Sequence, residues 1–315
     1  MKKYLKQHLP IAYELYLDLK LFRDLYRIRK SNRRFYNLSD AEKKNMVSQQ
    51  YQDRVGHPLD WDNLSTYTEK MQFAKLFDRD ERKVLCSDKY LVRKWVAERI
   101  GESYLIPLVG VWDYPSKIDF SRLPEKFVIK TNHGSGDVFV IDNKTNLKKQ
   151  QIREIKRKLT IALNQDYSCL FGELHYKDIN PKVIAEKYVD PGNDSDLMDY
   201  KFMCFNGIPY FCMVYTGRGH KLKQYVYDMD WNLQNWGTAE YVQSIDAIKK
   251  PSNFDEMVLV AKKLSEGFSH VRVDLYDVNE QIYFGEMTFT NGAGLHRIKP
   301  IEADKMLGEL WNLNC

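Results

Sequence analysis

Apolar residues recur at three- and four-residue steps through the first part of the chain, with Leu5, Leu9, Ala12, Leu15, Tyr16, Leu19 and Phe22 on the repeat, which predicts a helix over residues 4–36. Pro10 is compatible with a helix that starts beside it. Ser39-Asp-Ala-Glu42 has capping-box spacing and opens a second helical stretch, and Met71, Phe73, Ala74 and Leu76 mark a helix over 68–77. Another helix is predicted over 88–100, stopped by Gly101. The period then shortens. Residues 104–111, 127–131 and 138–141 read as strands, 147–163 as a basic amphipathic helix, and 181–189 as a strand running into Asp190. Alternation returns over 199–206, 209–216 and 224–228, broken by turns such as Asn206-Gly207, and a helix over 254–268 precedes two strands, 271–278 and 281–288, joined around Asn279-Glu280.

These elements predict an α+β protein with a helical N-terminal extension (1–80), a first α+β lobe (81–190) and a second, mostly β lobe (191–315). The boundary is placed at the turn-rich Asp190-Pro-Gly-Asn-Asp-Ser-Asp196. At 315 residues, 43% hydrophobic and 13% aromatic, the chain can build real cores, and no apolar run approaches the roughly 20 residues of a membrane span. The beginning of the chain lacks the apolar core of a secretory signal, so a cytoplasmic location is expected. The five cysteines show no zinc spacing and read as reduced thiols. A net charge of +5 suits a protein that handles anions without the dense basic face of a nucleic-acid binder, and no nucleic-acid partner is expected. Arg23, Arg27, Arg29, Lys30, Arg33 and Arg34 in the first helix form either a solvated charged face or a peripheral contact with an anionic membrane, which would set the protein at the inner face of the cell membrane.

Two stretches carry chemistry. In Phe127-Val-Ile-Lys-Thr-Asn-His-Gly-Ser-Gly136 a strand delivers Lys130 and then breaks into a glycine-bearing loop; this is either an ordinary hairpin or a phosphate cradle in which the ammonium supplies charge and Gly134 and Gly136 let backbone N–H groups approach. It matches neither common nucleotide fingerprint. In the last pair of strands, Asp274 and Glu286 stand close. A two-residue turn at Asn279-Glu280 sets Asp274 opposite Gly285; if Gln281 joins the turn, Asp274 faces Glu286 and both carboxylates can share a cation, with Arg272 beside them.

The ordered set Asp88-Lys89, Phe127-Val-Ile-Lys130 with Gly134-Ser-Gly136, Glu186-Lys-Tyr-Val189, Asp199-Tyr-Lys201, Arg272-Val-Asp274 and Phe284-Gly-Glu-Met-Thr288 resembles the ATP-grasp superfamily, and within it the TupA-like ATP-grasp family associated with teichuronopeptide and capsular polysaccharide biosynthesis. The resemblance implies the ATP-grasp fold, two α+β lobes clasping ATP, with Mg2+ as second cofactor. On the matching positions it implies that Lys130 and Lys89 meet the phosphates beneath a cover formed by His133, Gly134, Ser135 and Gly136. Glu186, Lys187, Tyr188 and Val189 would read adenine, an acid nearby would hold the ribose hydroxyls, and Asp199 is among the nucleotide-binding positions. Lys201 and Arg272 would neutralise the γ-phosphate, and Asp274 and Glu286 would hold Mg2+. The family's E-x-N reads Glu286-Met-Thr288 here, so the next metal ligand is either the Thr288 hydroxyl or Asn291.

The activity implied is carboxylate–amine ligation through an acylphosphate, joining an amine or amino acid to an acidic, uronic-acid-type sugar or polysaccharide precursor. Arg218 is the leading residue for holding the acidic acceptor, with His220, Lys221 and Lys223 beside it, unless this basic turn is only a solvated hairpin end; His296 and Arg297 are further candidates. Phospho- or glycosyl transfer to a capsular glycan, and non-catalytic nucleotide or glycan binding, are the competing functions.

Overall fold

The computed structural model describes residues 9–134, 136–190, 192, 197–217, 222–238, 242–243 and 248–313. The chain divides into two compact units, one formed by 1–39, 108–170 and 180–188 and the other by 40–107, 171–179 and 189–315. Residues 40–107, read from sequence as extension and start of the first lobe, thus pack with the C-terminal part of the chain, and the helix of the extension packs with the first unit.

The first unit holds an antiparallel sheet of β1 (Leu108–Trp112), β2 (Phe127–Thr131), β3 (Val138–Ile141) and β4 (Val183–Lys187), in the order β1-β4-β2-β3. Strand β1 begins later than its apolar run. Pro107 has no N–H to give the ladder, and Glu102–Tyr104 closes into a 3-10 turn. Ile155 and Leu159, one turn apart on helix Lys149–Asn164, bury against Phe127, Ile129, Val183 and Ala185 of the sheet. Helix Pro10–Tyr36 joins this unit through Arg157, which binds Glu14 at 2.5 Å and Asp18 at 2.9 Å.

The second unit is built on β5 (Asp199–Phe205), β6 (Ile208–Thr216), β7 (Lys223–Asp228), β8 (Gly237–Thr238), β9 (Val242–Gln243), β10 (His270–Val278), β11 (Gln281–Thr288) and β12 (Ile298–Lys299). Six of them form a sheet in the order β11-β10-β5-β6-β7-β9, and β12 pairs with β8. Tight turns set the registers. Asn206 and Gly207 both take left-handed φ values, 54° and 75°, as do Asn279 and Glu280 at 53° and 64°, which matches the twist of two-residue hairpins. Strand alternation then divides the sheet into two faces. Tyr200, Phe202, Cys204, Val271, Val273 and Leu275 pack with helix Phe254–Ser265, while Lys201, Arg272 and Asp274 occupy the other face.

Helix Tyr67–Phe77 is started by a capping box between Thr66 and Glu69, a T-x-x-E spacing present in the sequence beside the one noted at Ser39. Residues 88–91 are not part of the helix expected there, which runs Val92–Ile100; Asp88 instead accepts from the N–H groups of Tyr90 and Leu91. Cys86, Cys169, Cys204 and Cys212 are buried free thiols. No described helix is long and apolar enough to cross a membrane.

Candidate functional site

The hairpin of β10 and β11 resolves the question its sequence left open, by a route neither register contained. The turn is the two residues Asn279-Glu280, with Val278 opposite Gln281 and Leu275 opposite Phe284, which would continue to Asp274 opposite Gly285. A β-bulge takes up Gly285 instead, and Asp274 pairs with Glu286. Glycine lets the strands close tightly at this step: a Cβ on Gly285 would lie 3.0 Å from both the Asp274 carbonyl oxygen and the Tyr276 ring, so a side chain here would push its neighbours aside by a few tenths of an ångström. One unpaired residue therefore brings the two carboxylates to the same face.

Around them the second unit assembles an ion network. Arg272 reaches Asp274 through two bonds, Nε to Oδ1 at 2.6 Å and Nη2 to Oδ2 at 2.7 Å, and its Nη2 also donates to Glu286 Oε1 at 3.1 Å and to the Thr288 hydroxyl at 3.0 Å. Lys201, opposite Asp274 on the neighbouring strand β5, binds Asp274 and also lies 3.0 Å from Asp199 Oδ2. Lys89 approaches Glu286 Oε2 at 3.4 Å. The Asp274 side chain is 2% exposed and that of Glu286 35%, so one carboxylate is locked in and the other reaches solvent. Burial pushes the Asp274 carboxyl above the usual range against the pull of Arg272 and Lys201. Burial works most strongly against the Arg272 charge, but the ion pair and hydrogen bonds with Asp274, together with the Glu286 charge, hold the guanidinium above its ordinary value. Among the described residues no three His, Cys, Asp or Glu side chains converge as a ready metal cluster.

Beside the network the same sheet face opens into a cavity of about 340 Å3. Asp199, Lys201 and Arg272 form one part of its lining; Met203, Met213, Leu222, Trp236 and Ile298 form an apolar part. Asn291 and His296 also line it. A buried hydrogen-bond chain holds Asn291: its Nδ2 donates to the Tyr67 hydroxyl at 2.9 Å, Tyr67 donates to His270 Nε2 at 3.0 Å, and His270 Nδ1 donates to the Cys204 carbonyl at 3.1 Å. Burial lowers the His270 pKa to about 3, so the ring is neutral with one nitrogen donating and one accepting. The chain orients the amide of Asn291 and leaves its Oδ1 without a partner among the described residues. Tyr67 and His270 carried no sequence signal, since they meet across 203 positions of chain.

In the first unit, Lys130 on β2 and Glu186 on β4 form an ion pair at 2.7 Å, with Glu186 opposite Val128 in the ladder. The loop that follows is anchored by Asn132, which sequence reading passed over: its Nδ2 donates to the Asn180 carbonyl at 3.0 Å and its Oδ1 accepts from the Lys182 N–H at 2.7 Å. His133 is buried, with Nε2 3.1 Å from the Gln165 carbonyl, and so sits in the packing of the loop. A Cβ at Gly134 would meet the Thr131 hydroxyl at 2.2 Å, and Gly136 takes a φ of 84°. Lys187 is exposed and Tyr188 lies under the Lys126 ammonium at 5.7 Å, while Val189 begins the segment assigned to the other unit.

Of the remaining sequence candidates, Lys223 begins β7, and Arg297 donates to the Arg54 carbonyl at 2.9 Å, a structural contact away from the cavity lining. Ser135, Arg218, His220 and Lys221 lie outside the described residues.

Solved structures similar in fold include a D-alanine–D-alanine ligase from Bacillus anthracis complexed with ATP, with 14% identity, 65% of this chain and 54% of that chain covered, and a TM-score of 0.36. The corresponding ligase from Helicobacter pylori shows 12% identity over 73% and 60%, with a TM-score of 0.40, and a D-cycloserine synthetase 16% over 73% and 71%, with 0.37. The chain thus spans little more than half the length of the first of these. A comparison with curated proteins gave no match. The sequence model of the TupA-like ATP-grasp family matches residues 69–312, well over half of the chain and including Lys89, Lys130, Glu186, Asp199, Lys201, Arg272, Asp274 and Glu286. The protein belongs to the TupA-like ATP-grasp family, an α+β fold whose superfamily of ligases uses ATP and Mg2+.

Proposed function

We propose that the protein is an ATP-dependent carboxylate–amine ligase. The observation that carries this reading is the Gly285 bulge, which brings Asp274 and Glu286 into register with Arg272 and Lys201 around them. The donor set fits Mg2+: two carboxylates and the Thr288 hydroxyl are hard oxygen ligands, and Mg2+ is usually held by one or two carboxylates with phosphate and water completing its shell. Asp274 and Glu286 would hold the ion, which would screen the phosphate charge. Asn291, held by Tyr67 in the cavity wall, is assigned to substrate instead.

Arg272 and Lys201 neutralise the transferred phosphoryl group, and Lys130 binds the α/β-phosphates, positioned by its ion pair with Glu186. Glu186 to Val189 and Asp199 are assigned to the nucleoside. A substrate carboxylate oxygen attacks the γ-phosphorus and ADP leaves. An amine nitrogen then attacks the acyl carbon, the bond from that carbon to the phosphate oxygen breaks, phosphate leaves, and the nitrogen loses a proton. The chain contributes position and charge, with no covalent nucleophile.

For the carboxylate we propose an acidic, uronic-acid-type sugar of a surface polysaccharide, and for the setting a peripheral contact with anionic membrane. Helix Pro10–Tyr36 supports the second point. Ile11, Leu15, Leu19, Phe22 and Tyr26 recur on one side of it and are 87, 61, 63, 75 and 62% exposed, with Arg23, Arg27, Lys30 and Arg34 alongside. The opposite side, with Tyr13, Leu17 and Leu21, lines a groove shared with helix Lys149–Asn164. Flotation with phosphatidylglycerol vesicles should retain the protein and lose Phe22→Glu.

The ligase reading is tested by phosphate release from ATP across paired uronic acids and amines, with product mass. Release is expected only when both partners are present, with a product lighter than their sum by one water. A product carrying an added phosphate would establish phosphotransfer and end the ligase reading.

A further inference from the structure

The cavity of the second unit is not lined like a sugar site. Three of its polar wall residues are engaged with the protein: the Thr68 hydroxyl donates to Asp304 at 2.6 Å, the Thr238 hydroxyl donates to Gln224 at 3.2 Å, and the Tyr215 hydroxyl accepts from Gln224 at 2.5 Å. Most of the remaining wall, Met203, Met213, Leu222, Trp236 and Ile298, offers thioether, aliphatic and aromatic surface, with His296 and the indole N–H of Trp236, which has no partner among the described residues, as its polar exceptions. A sugar ring would bring a hydroxyl on most carbons to a surface with few free partners for them.

The other part of the lining is sharply different. Lys201, Arg272 and Asp199 connect the cavity to the network around Asp274, where the phosphoryl chemistry is assigned. Asn291 adds an acceptor oxygen whose orientation is fixed through Tyr67 and His270 and which takes no hydrogen bond from the described residues. A ligand N–H or O–H satisfies such an acceptor, and an amine with an apolar body brings the donor together with surface that suits the wall. At about 340 Å3 the space is at the small end of ligand sites, which begin at roughly 300 Å3.

We propose that this cavity is the amine pocket of the ligase and selects a compact amine with an apolar body, of the size and chemistry of an apolar amino acid. The amine nitrogen donates to Asn291 Oδ1 at the charged part, next to where an acylphosphate would form, and the hydrocarbon or aromatic side chain lies on the Met203, Met213 and Trp236 wall. The proposal rests on the ligase reading for the identity of the pocket and goes beyond it in naming the amine's class.

The test is calorimetric titration of the full chain, with Mg2+ and a non-hydrolysable ATP analogue present, by leucine, methionine, phenylalanine, serine, aspartate and glucosamine. The apolar three are expected to bind at least about tenfold tighter than the polar three, since a single methylene in an apolar pocket is worth roughly 10-fold or more. Met213→Trp should fill the space and weaken that binding about tenfold or more while the analogue binds as before; Leu222→Trp, at a less buried position of the same wall, serves if Met213→Trp does not fold. Asn291→Asp should retain amine binding and Asn291→Leu should lose it. Equal or tighter binding of the polar amines, no amine binding at all, or apolar binding indifferent to the wall variants would overturn the proposal. Phosphate release with mass detection separates the two readings. Apolar amines that bind but never appear in an amide leave the pocket standing and the ligase reading lost; amides formed only from polar amines do the reverse.

Discussion

The two units handle buried charge in opposite ways. In the first, the Lys130 ammonium meets the Glu186 carboxylate across strands of a small sheet. In the second, three cations, Lys89, Lys201 and Arg272, meet three carboxylates, Asp199, Asp274 and Glu286, in one connected set. The Lys130 ammonium can turn from Glu186 to a phosphate by moving one side chain. Among the described residues the larger set holds three charges of each sign, so an anion arriving alone must compete with its carboxylates, whereas a cation taken up by Asp274 and Glu286 releases positive charge for phosphate. Metal and nucleotide are therefore expected to bind there in support of one another.

The largest break in this comparison is at the most buried member. Asp274→Ala strips Arg272 and Lys201 of their common partner, and a stability loss of about 3–5 kcal/mol is expected by denaturant unfolding, because uncompensated charges stay in the interior. Glu186→Gln, which keeps a hydrogen-bonding side chain next to Lys130, should cost about 1–2 kcal/mol, and equal losses for the two variants would erase the distinction.

Next is the bulge. Gly285→Val places side-chain atoms against the Asp274 carbonyl and the Tyr276 ring, and a destabilisation of about 1–3 kcal/mol with loss of Mg2+-dependent phosphate release is expected. Full activity in that variant would mean that the pairing of Asp274 with Glu286 is not what holds the metal.

Glu286→Gln should leave stability within about 1 kcal/mol, since its side chain reaches solvent. Turnover should nonetheless fall, and ATP should bind a few-fold tighter in the presence of a chelator, because the set has lost a negative charge. Weaker chelator-phase binding would show that the balance of charges does not control nucleotide affinity.

The smallest effect concerns a second buried pair in the same unit. Burial pushes Glu173 up to about 7, with the Thr290 hydroxyl and Lys75 opposing it, and lowers Lys75 to about 8. A carboxyl raised in the folded state favours the fold while protonated, so this contribution is complete below about 4.5 and is lost as pH rises through about 7. Glu173→Gln should flatten that fall in melting temperature between those values, and an unchanged profile would assign the slope to other groups.

Much of this architecture was readable along the chain. The hairpin turn at Asn279-Glu280, the strand carrying Lys130, the helix ended by Gly101 and the helix that begins at Phe254 follow from short-range rules of backbone freedom and period, which operate over a few residues. Strand starts were less legible where one residue decided them, as Pro107 does for β1. The expected pairing of Asp274 could not be chosen from turn length, since Gly285 breaks the count in mid-strand and its reason is a steric contact with the partner strand. Lys89 was assigned to phosphate and is found at Glu286, and Asn132, Tyr67 and His270, which hold the loop and the cavity wall, gave no sign.

By itself, then, the sequence determined which chemical groups the protein possesses, their order, and the local elements that carry them, because propensity, turn chemistry and hydrophobic period are properties of neighbouring residues. The tertiary structure decided which charges face one another, which carboxylate is locked away and which reaches solvent, and how an apolar wall comes to stand beside an ion network. Those outcomes depend on register and on contacts between residues far apart in the chain, such as Asn291 with Tyr67, 224 positions away, and nothing in the neighbourhood of either residue specifies the meeting.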